Sequence, residues 1–342
     1  MSFNYLYYGS YVGTSNYSGP IIGLQNSSLT AAKFAFTSAY FTVSRSLSSS
    51  FNSSAHRYGP TQTEVRNWLS GTSNGGGGYS WANTYVDVPT QGYQRWHIPK
   101  SGTYRLTARG AHSGHTDTPD DYMRGVTVQA DFSLNMDDKL IIAVGQGVPN
   151  YDGDHCNGGA GATWIAVGDD IATALMLLVG NGAGGDTSDG GTKGQPNTSL
   201  NRSVNNVGGV SGLETTPINS SASTGYGGNN SGGYLGSGTG SFVGGGFRSG
   251  NLVGGDRSNS TAGYGGFGGG SGGIDESGSA GAGFTGANGQ DNTTVTGHGS
   301  SFIRDTGTNQ SCTLNAATTT WQSSDYTSTA SYQGWAYVEY LS

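Results

Sequence analysis

Gly263-Tyr264-Gly265-Gly266-Phe267-Gly268-Gly269-Gly270-Ser271-Gly272-Gly273 lies at the heart of a run, residues 225–299, in which glycine recurs at short intervals between Ser, Thr, Asn, Tyr and Phe. Such a stretch is a poor helix and a poor half-buried strand, because glycine loses the most backbone freedom on ordering and brings no side chain to a packed face. Three readings are open: a flexible linker, irregular ordered loops, or a bundle of extended segments. The bundle is the expectation. Left-handed extended segments of three residues per turn can satisfy their N–H and C=O groups by bonding sideways, provided no Cβ stands where they touch. The spacing fits: Gly263, Gly266, Gly269 and Gly272 are three apart, as are Gly283, Gly286 and Gly289, so these seven are the expected scaffold glycines.

Outside the run, the period of apolar residues changes to two. Gln94-Arg95-Trp96-His97-Ile98 alternates, Pro99-Lys100-Ser101-Gly102 makes a turn, and Tyr104, Leu106 and Ala108 share one face of the next strand. Val126, Val128, Ala130, Phe132 and Leu134 repeat the pattern, Asp137-Asp138 turns the chain, and residues 140–144 are apolar throughout, as a strand covered on both faces would be. Residues 162–167 and 175–179 follow, joined by a turn at Gly168-Asp169-Asp170. A last strand alternates through Trp335, Tyr337 and Glu339. Short strands at this spacing predict an all-β, antiparallel sandwich that starts before the glycine-rich run and finishes after it.

Residues 1–79 read as a small separate region. Tyr5, Tyr7, Tyr8, Tyr11 and Tyr17 crowd its start, and broad, stiff, half-polar tyrosine suits either an interface or an aromatic mini-core. Phe34, Phe36, Tyr40, Phe41 and Val43 suggest one or two short strands. Thr61-Gln62-Thr63-Glu64 carries a Thr-x-x-Glu capping box ahead of Val65, Trp68 and Leu69, so a short helix is expected there, with Gly71 as its stop. Residues 75–78 read as a hinge, and residues 80–342 as the second domain.

Composition narrows the classes of function. With 63 Gly but only 8 Pro, a collagen helix is excluded. A net charge of −7 without a basic patch argues against a nucleic-acid partner. Hydrophobic residues make up 33% and the chain has 20 Tyr, so burial must lean on aromatic rings and backbone hydrogen bonds. Cys156 and Cys312 allow a single bridge or two separate thiols. No basic start followed by an apolar stretch opens the chain and no apolar run is of spanning length, so the expectation is synthesis in a cytoplasm, with no export signal and no membrane insertion.

Candidate chemistry is thin. Gly269-Gly270-Ser271-Gly272-Gly273 matches a nucleophile-elbow pattern, and Gly268, Gly270 and Gly273 a dinucleotide fingerprint, but neither has the strand-turn-helix context it requires, and in a glycine-rich run both arise by chance. Among the 6 His there is no HExxH spacing. His112 and His115 near Asp117, Asp120 and Asp121, or Asp152, Asp154 and His155 with Cys156, have metal-ligand character, yet solvated polar loops are the simpler reading. Asp169-Asp170 reads as turn chemistry rather than as a catalytic pair. No cofactor, metal or catalytic residue is expected.

Several blocks occur in a recognisable order. They are residues 98–111 (Ile-Pro-Lys-Ser-Gly-Thr-Tyr-Arg-Leu-Thr-Ala-Arg-Gly-Ala), 158–165 (Gly-Gly-Ala-Gly-Ala-Thr-Trp-Ile), 177–185 (Leu-Leu-Val-Gly-Asn-Gly-Ala-Gly-Gly), 240–246, 265–270 and 299–303. Over roughly residues 90–342 this series resembles the glycine-rich domain of bacteriophage tail-fibre and adhesin proteins and, more remotely, the glycine-rich ectodomain of the anaplastic lymphoma kinase receptor. The resemblance implies a jelly-roll-like sandwich with an inserted polyglycine II region, about 225–299. It also implies a virion protein, a tail-fibre or spike component, whose loops bind the host surface. Candidate loops are residues 186–206, 212–225, 246–263 and 287–297. Tyr226, Asn229, Asn230, Tyr234 and Arg248 are the candidate receptor-binding residues, suited to stacking on and hydrogen-bonding a surface sugar. Phe242, Phe247, Phe267 and Phe284 are expected to cover the sides of the bundle. Residues 1–79, with Tyr5, Tyr7, Tyr8 and Tyr11, would attach to the particle. Expected partners are other virion proteins and a host cell-surface glycan or outer-membrane protein, with a homo-oligomer, a trimer by analogy. A virion protein without a receptor role is the alternative, and an enzyme that degrades surface polysaccharide is a third reading.

Overall fold

The computed structural model describes residues 33–37, 57–69, 86–98, 100–113, 124–148, 158–185, 232–233, 237, 242–258, 263–273, 277–284, 286, 290–291, 299–314 and 333–342. The elements in chain order are β1 (Lys33–Thr37), α1 (Gln62–Leu69), β2 (Val86–Thr90), β3 (Tyr93–His97), β4 (Gly102–Arg109), β5 (Val126–Leu134), β6 (Lys139–Ala143), β7 (Thr163–Val167), β8 (Leu175–Gly180), β9 (Ser277–Gly278), β10 (Gln290–Asp291), β11 (Phe302–Ile303), β12 (Thr308–Leu314) and β13 (Trp335–Tyr340). The all-β, antiparallel expectation holds. One sheet has the order β1-β13-β4-β5-β12, a second the order β11-β8-β7-β6-β3-β2, and β9 and β10 form a two-stranded sheet among the described residues. Among the described residues α1 is the only α-helix, and no helix there is long and apolar enough to cross a membrane.

The two larger sheets face each other, with β4 and β5 lying across β8. Alternation supplies the core between them. Tyr104, Leu106 and Ala108 of β4, Val126 to Leu134 at every second position of β5, and Ala336 and Val338 of β13 meet Trp96, Leu140, Ile142, Ile165 and Leu178 from the second sheet. Each large side chain buried here contributes roughly 1.5–3 kcal/mol. The capping box of α1 forms as its residues predict: the Thr61 N–H donates to the Glu64 carboxylate at 2.8 Å and the Glu64 N–H to Thr61 Oγ1 at 3.3 Å. Its Val65 reaches the same core.

The six-stranded sheet is buried on its other face as well, which is why residues 140–144 show no alternation. Tyr93, Ile141, Ala143, Trp164, Ala166, Met176, Val179 and Phe302 pack there against Phe247, Leu252, Phe267, Ala282 and Phe284 from the glycine-rich part of the chain. The phenylalanines expected to cover a bundle thus face a sheet, with Phe284 stacked on Phe302 at a centroid distance of 4.1 Å. Phe242 is only half-buried.

Strands of both sheets run out at one end into extended segments. β4, β6 and β8 leave there, while β5, β7, β11 and β13 enter. Bonds across the sheets fix the junction: Val126 N–H to the Asn181 carbonyl (3.1 Å), Thr163 Oγ1 to the Arg109 carbonyl (2.6 Å) and Gly334 N–H to the Gly145 carbonyl (2.9 Å).

Residues from the 1–79 region pair and pack with the later chain. β1 is hydrogen-bonded along β13, Lys33 opposite Glu339 through Thr37 opposite Trp335. Residues 57–60 lie against the β2–β3 turn and the glycine-rich segments. The tyrosines Tyr5, Tyr7, Tyr8 and Tyr11 and the hinge at 75–78 fall outside the described residues.

Candidate functional site

Beyond the strand ends, Gly159-Ala160-Gly161 forms a hub. The Gly159 N–H donates to the Ser271 carbonyl (2.9 Å), Ala160 to Ala183 (2.8 Å) and Gly161 to Gln146 (3.0 Å). Their carbonyls accept from Gly266 (2.9 Å), Ala282 (3.1 Å) and Ala111 (3.1 Å). A strand in a sheet sends its bonds to two neighbours only, whereas these three residues address five stretches of chain, 110–113, 144–148, 180–185, 263–273 and 279–284. Glycine is needed because backbones meet here. A Cβ would stand 1.9 Å from the Ala280 carbonyl oxygen at Gly159, and 1.7 Å from that of Phe267 at Gly161. Where space exists, methyl groups fill it: Ala111, Ala160 and Ala183 are fully buried together.

The expected scaffold glycines distribute differently from their three-residue register. Gly263, Gly266, Gly269 and Gly272 do not share one run, because the chain reverses at residues 267–269 as Phe267 enters the outer face of the sheet. Gly268 and Gly269 take φ of +106° and +96°, the Gly270 N–H bonds the Gly266 carbonyl (3.1 Å), and the Gly273 N–H bonds that of Gly263 (2.8 Å). Left-handed φ at two consecutive positions demands glycine. Gly283 lies against the backbone of Gly299, Gly286 is half-buried, and Gly289 falls outside the described residues.

Of the candidate receptor-binding residues, Arg248 is described; Tyr226, Asn229, Asn230 and Tyr234 are outside the described residues. Arg248 is half-buried in a tight turn of residues 247–250, closed by the Gly250 N–H on the Phe247 carbonyl at 3.1 Å. Ser249 is exposed at its tip, and its hydroxyl donates to the Gly246 carbonyl at 2.7 Å. Tyr93 anchors this turn. Its buried hydroxyl donates to the Phe247 carbonyl at 2.9 Å, and the Phe247 ring lies 5.5 Å from the rings of both Tyr93 and Trp164. Burial pushes the Tyr93 phenol far above its ordinary value, so the hydroxyl stays a donor at all ordinary pH. Nothing in the sequence singled out Tyr93, since an aromatic opening a strand reads as ordinary core.

The weaker chemical candidates resolve into structural roles. Ser271 is fully buried; its Oγ accepts from the Ala280 N–H (2.7 Å) and donates to the Ala280 carbonyl (3.3 Å), so it ties two glycine-rich segments together. Asp170 caps the turn after β7 through the Ala172 N–H at 3.0 Å, and Asp169 pairs with Lys139. His112 is buried, with its Nε2 2.9 Å from Arg109 Nη2. A guanidinium only donates, so Nε2 accepts. Burial first, then Arg109 and Arg124, hold the His112 pKa well below its ordinary value, and the ring is neutral. Among the described residues no group of three His, Cys, Asp or Glu side chains could hold a metal ion. His115, Asp117, Asp120, Asp121, Asp152, Asp154, His155 and Cys156 lie outside them. Cys312 carries a free thiol that burial pushes up to about 11.

No protein-family model matches the chain.

Proposed function

We propose that this chain is a structural virion protein of a bacteriophage, a tail-fibre or spike component that presents loops to the host surface. On this reading the two sheets form a jelly-roll-like sandwich, and the extended segments beyond it are short polyglycine II helices. The observation that carries the proposal is the hub at Gly159-Ala160-Gly161, whose peptide groups address five neighbouring stretches in succession. Successive peptides of a three-residue-per-turn helix point about 120° apart, which is the geometry such bonding needs. A frame fixed by backbone bonds constrains few side chains, so the loops between its segments are free to vary in sequence while the frame stays the same. That property suits a surface that must track a changing receptor. Within residues 246–263 the proposed contact is the turn at residues 247–250, with Arg248 and Ser249 at its tip, while residues 252–255 bond back into the frame. The partner would be a host glycan or outer-membrane protein, residues 1–79 would attach to other virion proteins, and the working form would be a homo-oligomer, a trimer by analogy.

The test is adhesion. Purified protein should bind susceptible cells, should compete with particles for infection, and should be found at the distal part of the tail by labelling. Absence of both binding and competition would overturn the receptor role, and a location on the shell would favour a virion protein without one.

A further inference from the structure

We infer that Arg57 is a positioning residue that fixes residues 254–256 and couples them to the N-terminal region. The inference rests on the contact reading of the turn at residues 247–250 proposed above, which these residues follow.

Arg57 and Gly254 bond twice across 197 positions of chain. The Gly254 N–H donates to the Arg57 carbonyl at 2.8 Å, and Arg57 Nε donates to the Gly254 carbonyl at 2.9 Å. The same guanidinium bonds Asp256 through Nη1 at 3.0 Å and stands 5.4 Å from the centroid of Tyr264, which also carries Arg257 at 4.7 Å. The Arg57 side chain is 16% exposed, whereas the Asp256 side chain is 55% exposed. An ion pair so open on one side contributes little by itself. The positional information therefore lies in the planar fork, which meets a carbonyl, a carboxylate and a ring at once, as an ammonium cannot.

Arg57 is itself held. Four consecutive carbonyls are each bonded: Arg57 by Gly254, Tyr58 by Gln146 Nε2 (3.2 Å), Gly59 by Gln91 Nε2 (2.9 Å) and Pro60 by the Gly92 N–H (2.8 Å). Gly59 lies so close to Gly92 that a Cβ would stand 2.1 Å from its Cα. Residues 57–60 thus join the β2–β3 turn, the segment after β6 and the frame segment that follows the proposed contact turn. A pull on the N-terminal region reaches Gly254 through a short bonded path, and by linkage a ligand held at the neighbouring turn of residues 247–250 stabilises the seat of Arg57.

The test measures amide exchange in the full chain together with adhesion to susceptible cells. Arg57→Ala should speed exchange at Gly254 by about ten- to a hundredfold, the range set by losing a hydrogen bond from a charged donor, while Ala160 in the hub keeps its protection. Arg57→Lys keeps the charge but lacks Nε and the planar fork, so it should show the same local change, smaller in size, and it covers the case in which the alanine variant does not fold. Wild-type exchange at Gly254 in Arg57→Lys or in a folded Arg57→Ala would overturn the inference. Faster exchange at Gly254 with unchanged adhesion would uphold the positioning role and count instead against the contact-loop reading.

Discussion

Gly161 and the Phe267 carbonyl approach so closely that a Cβ on Gly161 would lie 1.7 Å from the oxygen. Backbone occupies that space, and backbone in a lattice bonded on several sides cannot shift aside cheaply. Gly161→Ala should therefore destabilise the protein by about 3 kcal/mol or more, at the upper end for overpacking. Gly250 is the comparison. It has nothing within 4 Å and φ of +67°, so Gly250→Ala should cost only the left-handed penalty of roughly 1–2 kcal/mol. Denaturant unfolding of the two variants checks the ranking, and equal costs would deny the close-packed frame.

Tyr93→Phe removes the hydroxyl that holds the Phe247 carbonyl and leaves the edge-to-face contact of the two rings in place. The carbonyl keeps the Gly250 N–H, so the cost should be modest, about 1 kcal/mol. Exchange at the Gly250 amide should quicken more than exchange in the core strands. An unchanged turn would mean that packing of Phe247 alone sets the loop.

Gln94 is fully buried on β3 and, among the described residues, neither its Nε2 nor its Oε1 has a hydrogen-bond partner. A buried amide without partners is a net cost, and replacing it by an apolar side chain of similar shape recovers part of that cost. Gln94→Met should raise stability by about 1–2 kcal/mol, read as a higher denaturation midpoint. Loss of stability would reveal a polar role for the amide in the core.

His112 is neutral in the folded chain, and an unfolded histidine takes up its proton near pH 6.5. Below that pH the unfolded state binds more protons than the native one, so this group makes stability fall as the pH falls, by about 1.4 kcal/mol per unit. Between pH 7 and pH 5 the wild type should lose about 2 kcal/mol more than His112→Asn. Parallel pH profiles for the two proteins would show that His112 is protonated in the fold.

The sandwich was legible because its strands obey simple periods. The alternation through Tyr104, Leu106 and Ala108, and again from Val126 to Leu134, needs one buried face and has one. The capping box at Thr61 and Glu64 was readable for the same reason, since both partners lie within one turn. β12 was not anticipated, because Thr308-Asn309-Gln310-Ser311 carries almost no apolar signal and owes its strand to pairing with β5, itself irregular between Thr308 and Ser311. Nor was β1 given its partner, which lies some three hundred residues on. The glycine-rich part was readable in kind but not in plan. Counting every third glycine put Gly263 to Gly272 on one run, whereas the reversal at Phe267 depends on an aromatic pocket in a distant sheet. The hub at Gly159-Ala160-Gly161 lies outside the stretch that composition points to, since bonding partners rather than glycine density decide the centre. Of the candidate contact residues, Arg248 was legible as a loop residue, while the roles of Tyr93 and Arg57 emerge only from contacts more than 150 residues apart in sequence.

The central claim is that glycine-rich backbone is held by its neighbours as firmly as a β-strand is. Residue-resolved amide exchange of the intact protein tests it most directly. Ala160, Ala282 and Gly266 should exchange as slowly as Leu106 and Ile142 in the sandwich, because each of their N–H groups is bonded in the frame. Exchange of those three amides at the rate of exposed loops, with the sandwich still protected, would contradict the account.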